Sequence, residues 1–192
     1  MTASSSPVAG NPSASAPSAF EVLDACHRTT LVMLARLSAL VDGLDKGGPD
    51  AEARRTADEI IQFFSQTARQ HHEDEERHVF PQLQDSADPE IVQAVLRLKQ
   101  DHHWMDVDWK ELCPAIAAAA DNRGGYDIEA LREGVEIFVA LSHEHIGLEE
   151  SCIYPQARVR VDSAALQRMG REMAERRRAR SARKAGSGGT AS

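Results

Sequence analysis

The sequence contains few cysteines and no long apolar run. Its three cysteines lie far apart in 192 residues, without a Cys-x-x-Cys pair, which argues against a disulfide framework or a zinc ribbon and favours a reducing compartment. No apolar run approaches the roughly 20 residues of a membrane-spanning helix. The first 19 residues lack both the basic start and the apolar segment of a secretory signal. We therefore expect a cytoplasmic protein that makes no use of the membrane.

Aromatic residues are also scarce, at 5%, and runs of β-branched residues are few, which favours helices over strands. The net charge is −8, but residues 165–192 carry eight Arg and Lys against two Glu, so that the rest of the chain has a net charge of −14. An acidic body favours cations as partners and disfavours nucleic acid. No nucleophile–base set and no phosphate-binding glycine loop is found, so the hydrolase and kinase classes have no support.

Four segments carry apolar side chains at the three-to-four-residue spacing of a helix face. Turn-forming sequences separate them, and Pro49-Asp50, Asp88-Pro89 and Asp127 provide helix starts. Four long helices with short loops predict an all-α protein, an up-down-up-down four-helix bundle over residues 19–160. A short C-terminal helix is predicted over residues 161–180. The Ser-, Ala- and Gly-rich ends, residues 1–18 and 181–192, are predicted to be a disordered leader and tail.

One motif occurs twice in the chain. The pattern His-x-x-x-Glu-Glu-x-x-(Val/Ile)-(Phe/Tyr)-Pro spans residues 71–81 and returns at residues 145–155. A His and a Glu four residues apart share one face of a helix, with about 5–6 Å between their Cβ atoms, so both can bind one ion. Two such pairs on two helices predict a metal site between those helices.

Each predicted helix places one histidine on its apolar stripe, and two helices add a glutamate one turn later. An ionised carboxylate that is removed from water costs several kcal/mol unless it is compensated, and no Lys or Arg lies near these glutamates on the same stripe. Cations between the helices would supply that compensation. The predicted metal ligands are His27, His71, Glu75, His102, His145 and Glu149. The alternative is a plain structural bundle whose histidines are satisfied core residues.

Six protein ligands exceed the four that a tetrahedral zinc ion takes. They suit two ions that are bridged by carboxylates and keep positions open for water or a small ligand. Imidazole and carboxylate donors without thiolate fit iron, with manganese or zinc as alternatives. Glu76 and Glu150 follow the ligands directly and either bond to the site or face solvent. Four further histidines lie off the stripes and are predicted to be peripheral: His72, His78, His103 and His143.

With this doubled motif, and with Asp101-His102 and Met169-Gly170-x-x-Met173-Ala174-x-Arg176-Arg177, the sequence resembles the hemerythrin-like (HHE cation-binding) domains over roughly residues 20–180. The resemblance implies a four-helix bundle with a non-haem di-iron centre of two iron ions that binds O₂ or a related small molecule, NO or peroxide. By position, it assigns the ligands to the same six residues.

The sequence departs from the oxygen-carrying hemerythrins at two places. Those proteins have His-x-x-x-His on the third helix, where this chain has His102-x-x-x-Asp106, and His-x-x-x-x-Asp on the fourth, where it has His145-x-x-x-Glu149. Asp106 is either a ligand or an exposed acid, and the second is favoured. Fewer imidazoles favour the oxidised metal, which points to redox turnover, such as that of peroxide or NO, or to iron handling rather than reversible O₂ carriage. The alternative function is a sensor or regulator that acts through a partner surface.

Overall fold

The computed structural model describes the backbone of residues 17–124 and 126–187 and the side chains through residue 180. The described residues form helices and turns, with no strand among them. Residues 1–16 of the predicted leader and residues 188–192 of the predicted tail lie outside the described residues.

Four helical stretches form the bundle, and a fifth helix follows. The first stretch is α1 (Ala19–Gly47). The second consists of α2 (Ala51–Gln62), a first π segment (Phe63–Ala68), α3 (Arg69–His78) and a 3₁₀ turn (Phe80–Gln82). The third is α4 (Pro89–Ala120). The fourth consists of α5 (Ile128–Leu148), a second π segment (Glu149–Ile153) and α6 (Tyr154–Arg158), and α7 (Ser163–Ser187) completes the chain's described part.

The packing confirms the predicted all-α bundle. Helix α1 packs against α2 and α5, and α4 packs against the same two helices, so that consecutive stretches are neighbours around a ring of four. The predicted helix starts are confirmed as well, because the carboxylates of Asp50, Asp88 and Asp127 each accept a hydrogen bond from a backbone N–H in the first turn. Among the described residues, no helix combines the length and the apolarity needed to cross a membrane.

Two π segments interrupt helices that the sequence pattern predicted to be regular. A π turn closes its hydrogen bonds from i to i+5, so it holds more residues than an α turn and rotates the side chains that follow. The first π segment ends three residues before His71, and the second begins at Glu149. Both irregularities therefore lie beside predicted metal ligands.

The apolar side chains form two cores, one on each side of a polar layer. Along α1, His27 lies between Leu23 of one core and Leu34 of the other. Along α4, His102 lies between Leu98 and Met105 in the same way. The predicted ligands thus occupy a slab across the middle of the bundle.

Helix α7 lies against the start of α1. Met173 is fully buried in the core that contains Leu23. Gly170 packs so closely on residues 17–19 that a Cβ atom at this position would collide with the Pro17 carbonyl oxygen. The helix continues to Ser187, beyond the predicted end at residue 180, because Ala, Arg and Lys, which are good helix formers, predominate there.

Candidate metal centre

Seven side chains from all four bundle stretches converge in the polar layer, in two groups that share one member. The first group contains His27, His71, Glu75 and Glu149. The second contains His72, Glu75, His102 and His145. Within each group the candidate ligand atoms lie within 4.8 Å of one another. The structure therefore brings together all six of the ligands predicted from the sequence and adds His72.

Glu75 is the shared member, and its two carboxylate oxygens face different groups. Its Oε1 lies 3.2 Å from His71 Nε2 and 3.9 Å from His27 Nε2. Its Oε2 lies 3.5 Å from His102 Nε2. Because the side chain is fully buried, this carboxylate faces the two groups of imidazoles rather than water.

Glu149 also reaches both groups. Its Oε2 lies 3.1 Å from His27 Nε2 and 3.2 Å from His145 Nε2, and its side chain is fully buried. Two carboxylates and five imidazoles are therefore available to bound cations.

Many of the inward-facing atoms of these residues lack hydrogen-bond partners. Among the described residues, the orphaned buried atoms include Nε2 of His71, His102 and His145, Oε2 of Glu75 and both carboxylate oxygens of Glu149. Buried polar atoms are nearly always hydrogen-bonded, and a cluster of orphans at one place is the pattern that bound cations explain. The donor set, nitrogen and carboxylate oxygen without thiolate, fits iron.

Outer carboxylates hold two of the imidazoles from behind. Glu150 Oε1 lies 3.0 Å from His27 Nδ1, and Glu76 Oε1 lies 2.8 Å from His102 Nδ1. Such a contact fixes the tautomer and the orientation of a metal-ligating imidazole. The sequence left open whether Glu76 and Glu150 bond to the site or face solvent. Both do both, because each contacts a clustered imidazole while its side chain is half exposed.

Tyr154 lies in the doubled motif, at its (Phe/Tyr) position, but the sequence pattern assigned it no role in the site. Its hydroxyl donates a hydrogen bond to Glu75 Oε1 and lies 3.2 Å from His27 Nε2. Its ring stacks on the His27 ring, with 5.2 Å between centroids. Burial, and then the charges of Glu75 and Glu149, raise the pKa of Tyr154 well above its ordinary value. The hydroxyl therefore keeps its proton and holds Glu75 in place.

The polar layer keeps the Glu75 carboxylate ionised and favours positive charge on three of its imidazoles. Burial alone would oppose ionisation of Glu75, but His71 and His102 hold the pKa of this carboxyl well below its ordinary value. Burial likewise opposes a charge on His145, yet Glu149, followed by Asp101, raises the pKa of this imidazole to about 9. Without metal ions, protons on His71, His102 and His145 supply positive charge beside the buried Glu75 carboxylate.

The prediction that His72 is peripheral is wrong. Its ring stacks on that of His102, with 4.1 Å between centroids and an angle of 11° between planes. Burial, and then His102 and His145, hold the pKa of His72 well below its ordinary value, so the ring is neutral and its nitrogen is available to a cation. The prediction failed because a helical stripe selects one of two adjacent residues, whereas the rings of both His71 and His72 reach the polar layer.

Asp106 belongs to neither group. One of its oxygens lies 3.3 Å from Arg69 Nε and the other 2.6 Å from Lys110 Nζ, and one third of the side chain is exposed. The favoured alternative, an acid that faces outward, is therefore confirmed. The other three histidines outside the stripes, His78, His103 and His143, also lie outside both groups, as predicted.

A cavity of about 40 Å³ lies beside the two groups. Four imidazoles, those of His27, His71, His72 and His145, line part of the cavity. Apolar side chains line much of the rest, with Phe64, Met105, Trp109 and Phe138 among them. Because a water molecule needs about 10–15 Å³ of such space, the cavity has room for a molecule of a few atoms.

Comparison with known proteins agrees with this geometry. The model of the hemerythrin HHE cation-binding domain matches residues 18–157, which include all seven clustered side chains. An uncharacterised protein from Haemophilus influenzae is 29% identical over 157 residues, which make up 82% of this chain and 88% of that protein. The chain belongs to the hemerythrin HHE cation-binding domain family.

Proposed function

We propose that this protein holds two non-haem iron ions between its helices and binds, or reacts with, O₂, NO or peroxide beside them. The observation that carries the proposal is the position of Glu75, whose two oxygens face two separate groups of imidazoles. A single ion would leave one of these groups, and the orphaned atoms in it, without a partner.

The residues divide the work between holding ions and holding ligands. His27 and His71 would hold one ion, His72, His102 and His145 the other, and Glu75 and Glu149 would bind both. Iron, when bound, supplies coordination of a small oxidant and electrons for its reduction. Oxygen-carrying hemerythrins have a second histidine on the third helix, where this chain has Asp106. His72, on the second helical stretch, would supply that imidazole instead. The number of imidazoles therefore does not argue against reversible binding of O₂. Manganese or zinc would fit the same donors.

The remaining residues prepare the site. Tyr154, Glu76 and Glu150 hold ligands in their orientations through hydrogen bonds. The apolar wall around Phe64 and Trp109 excludes bulk water from the cavity, which protects a bound oxidant from uncontrolled protonation.

The test is anaerobic reconstitution of the full chain with Fe(II), followed by metal analysis and optical spectra under O₂, NO and peroxide. We expect about two irons per chain, and spectra that change with each gas or oxidant. Glu75→Gln should lose iron, whereas Glu136→Gln, a change at an exposed position on α5, should not. Folded wild-type protein that takes up no iron would overturn the proposal. A stable oxygenated spectrum would indicate binding, and rapid decay with peroxide consumption would indicate an enzyme.

A second candidate function, a sensor or regulator, is favoured by the contact between α7 and the metal-binding helix. Asp74 follows His72 by two residues and directly precedes Glu75. Its side chain is fully buried and accepts hydrogen bonds from Arg176 and Arg177. A shift of α3 on metal loading or oxidation would therefore alter how α7 docks. Protease protection of α7 should then differ between the metal-free, reduced and oxidised forms, and identical digestion patterns would exclude this function.

A further inference from the structure

We infer that the Arg69–Asp106 ion pair forms the entrance through which small uncharged molecules reach the cavity beside the metal ligands. The biological purpose of this entrance rests on the proposed function. The contacts that support the inference involve only side chains of this chain and no bound metal.

Two depressions meet at this ion pair. The inner one is the 40 Å³ cavity described above. The outer one is a surface hollow over α3 and α4, whose lining includes Glu73, Glu76 and Lys99. Three residues, Arg69, His72 and Asp106, line both. A single layer of side chains therefore separates the cavity from solvent at this place.

Of these three residues, Arg69 is the one that can move at low cost. His72 is held by its stacking on His102, and Asp106 is held by Lys110 at 2.6 Å. The Arg69 side chain is 57% exposed, and its Nε lies 3.3 Å from Asp106 Oδ1. Ion pairs this exposed are weak, and exposed side chains change rotamer within picoseconds to nanoseconds. Opening therefore requires only that Arg69 swing into solvent.

The walls select the class of molecule. The outer hollow carries acids and bases together, Glu73, Glu76 and Asp106 against Arg69 and Lys99, so it concentrates neither anions nor cations. Beyond the ion pair, apolar side chains such as Phe64, Trp109 and Phe138 contribute most of the cavity's exposed lining, so an ion that enters loses its hydration. The path thus admits small uncharged molecules, such as O₂, NO and hydrogen peroxide, and disfavours anions of similar size.

The first test uses a probe that needs no metal. Trp109 lines the inner cavity, and Trp104 is the chain's other tryptophan, so Trp104→Phe leaves fluorescence from Trp109 alone. In that background, we expect Arg69→Ala to raise the rate constant for quenching by dissolved O₂ about two- to fivefold, the range that loss of a weak surface ion pair allows. Quenching by iodide should stay low. Arg36→Ala, which removes the comparably exposed Arg36–Glu59 pair on α1 and α2, should change neither.

The second test measures NO binding to the Fe(II)-loaded protein by stopped flow. Arg69→Ala should speed association and dissociation by the same factor and leave the Kd unchanged, since an entrance alters rates but not the bound state. O₂ quenching and NO rates that match those of the wild type would overturn the entrance while leaving the di-iron proposal intact. A change in dissociation alone would also overturn it, because it would mean that Arg69 touches the ligand. Faster quenching in a chain that takes up no iron would support the entrance and refute the di-iron proposal.

Discussion

At the scale of single residues, burial of charge organises the site. The side chains of Glu75 and Glu149 are fully buried, and five imidazoles lie around them in place of water. Six of the seven clustered side chains were predictable. A carboxylate on an apolar stripe needs a compensating cation, and the histidines on the same stripes are suitable ligands for that cation. His72 and Tyr154 were not predictable in this way, since a stripe does not show that adjacent side chains of α3 both reach the layer, and since Tyr154 meets Glu75 only through the tertiary contact between α6 and α3.

The role of His72 can be tested by replacing only its nitrogens. His72→Phe keeps an aromatic ring that can stack on His102 but removes the donor to the second ion. We expect the second equivalent of iron to bind at least about tenfold more weakly, which corresponds to about 1.4 kcal/mol, whereas the first is retained. Metal titration of the two steps measures this. His103→Phe, at the exposed position next to His102, is the control. If His72→Phe binds both equivalents of iron with wild-type affinity, the assignment of His72 as a ligand is contradicted.

The outer carboxylates provide a second residue-scale prediction. Glu76→Gln weakens the partner of His102 Nδ1, and we expect metal affinity to fall by about 10–100-fold, as is usual for such changes. The measurement is competition against a chelator of known affinity. Glu59→Gln is a matched control, because the Glu59 side chain is equally exposed and also paired, with Arg36. If both variants bind metal like the wild type, Glu76 does not orient His102.

The raised imidazole pKa values predict how stability changes with pH. In the metal-free protein, Glu149 raises the pKa of His145 from 6.5 to about 9, and the pKa values of His71 and His102 are raised as well. Stabilisation from a raised pKa is complete below the unfolded value and is lost as the pH rises through the folded value. The Tm of metal-free protein should therefore fall between about pH 6.5 and 9.

Metal-loaded protein should not show this fall, because ligating imidazoles are already deprotonated. His72, whose pKa is lowered, titrates below pH 6.5 and does not affect this interval. Thermal melts in matched buffers compare the two forms. A Tm of the metal-free protein that stays constant or rises over the interval would contradict the assigned charges.

At the scale of elements, helix α7 is joined to the metal-binding helix by a buried charge. The Asp74 carboxylate is fully buried and pairs with Arg176 and Arg177, while Arg180 and Glu73 form a half-exposed pair nearby. The basic character of α7 was visible in the sequence. Its partner was not, because nothing in the pattern distinguishes Asp74 from the exposed acids around it.

Removal of both arginine charges should be costly. In Arg176→Gln/Arg177→Gln, Asp74 stays buried without its compensating charge, and we expect the free energy of unfolding to fall by about 3–5 kcal/mol. Arg180→Gln removes only an exposed pair and should cost less than about 1 kcal/mol. Urea unfolding with linear extrapolation measures both. Similar small losses in the two variants would mean that α7 contributes little through Asp74.

The element boundaries show where local chemistry suffices for prediction. The helix starts at Asp50, Asp88 and Asp127 were predictable, because a capping carboxylate acts within its own first turn. The two π segments were not, since apolar spacing alone cannot reveal an extra residue in a turn. Both lie beside the candidate metal ligands, and π segments are frequently found at functional sites.

At the scale of the whole molecule, the bundle was the most predictable feature. Four apolar stripes with short connections permit few arrangements other than a ring of antiparallel neighbours, and this is the observed packing. What periodicity could not predict is that the apolar interior is divided. The stripes pass through the ligands without interruption in sequence, whereas the side chains form one core around Leu34, Ile60 and Ile116 and another around Leu23, Phe80 and Leu98.

This division has a consequence for cooperativity. A bundle with one continuous interior melts as a unit, but here a layer of buried histidines and carboxylates separates the two apolar cores. In the metal-free protein the two cores should therefore unfold separately, so that calorimetry gives two transitions and amide exchange near Leu98 and near Ile116 follows different free energies. A cation bound in the layer would contact helices on which both cores depend, and a single transition should return as metal is added.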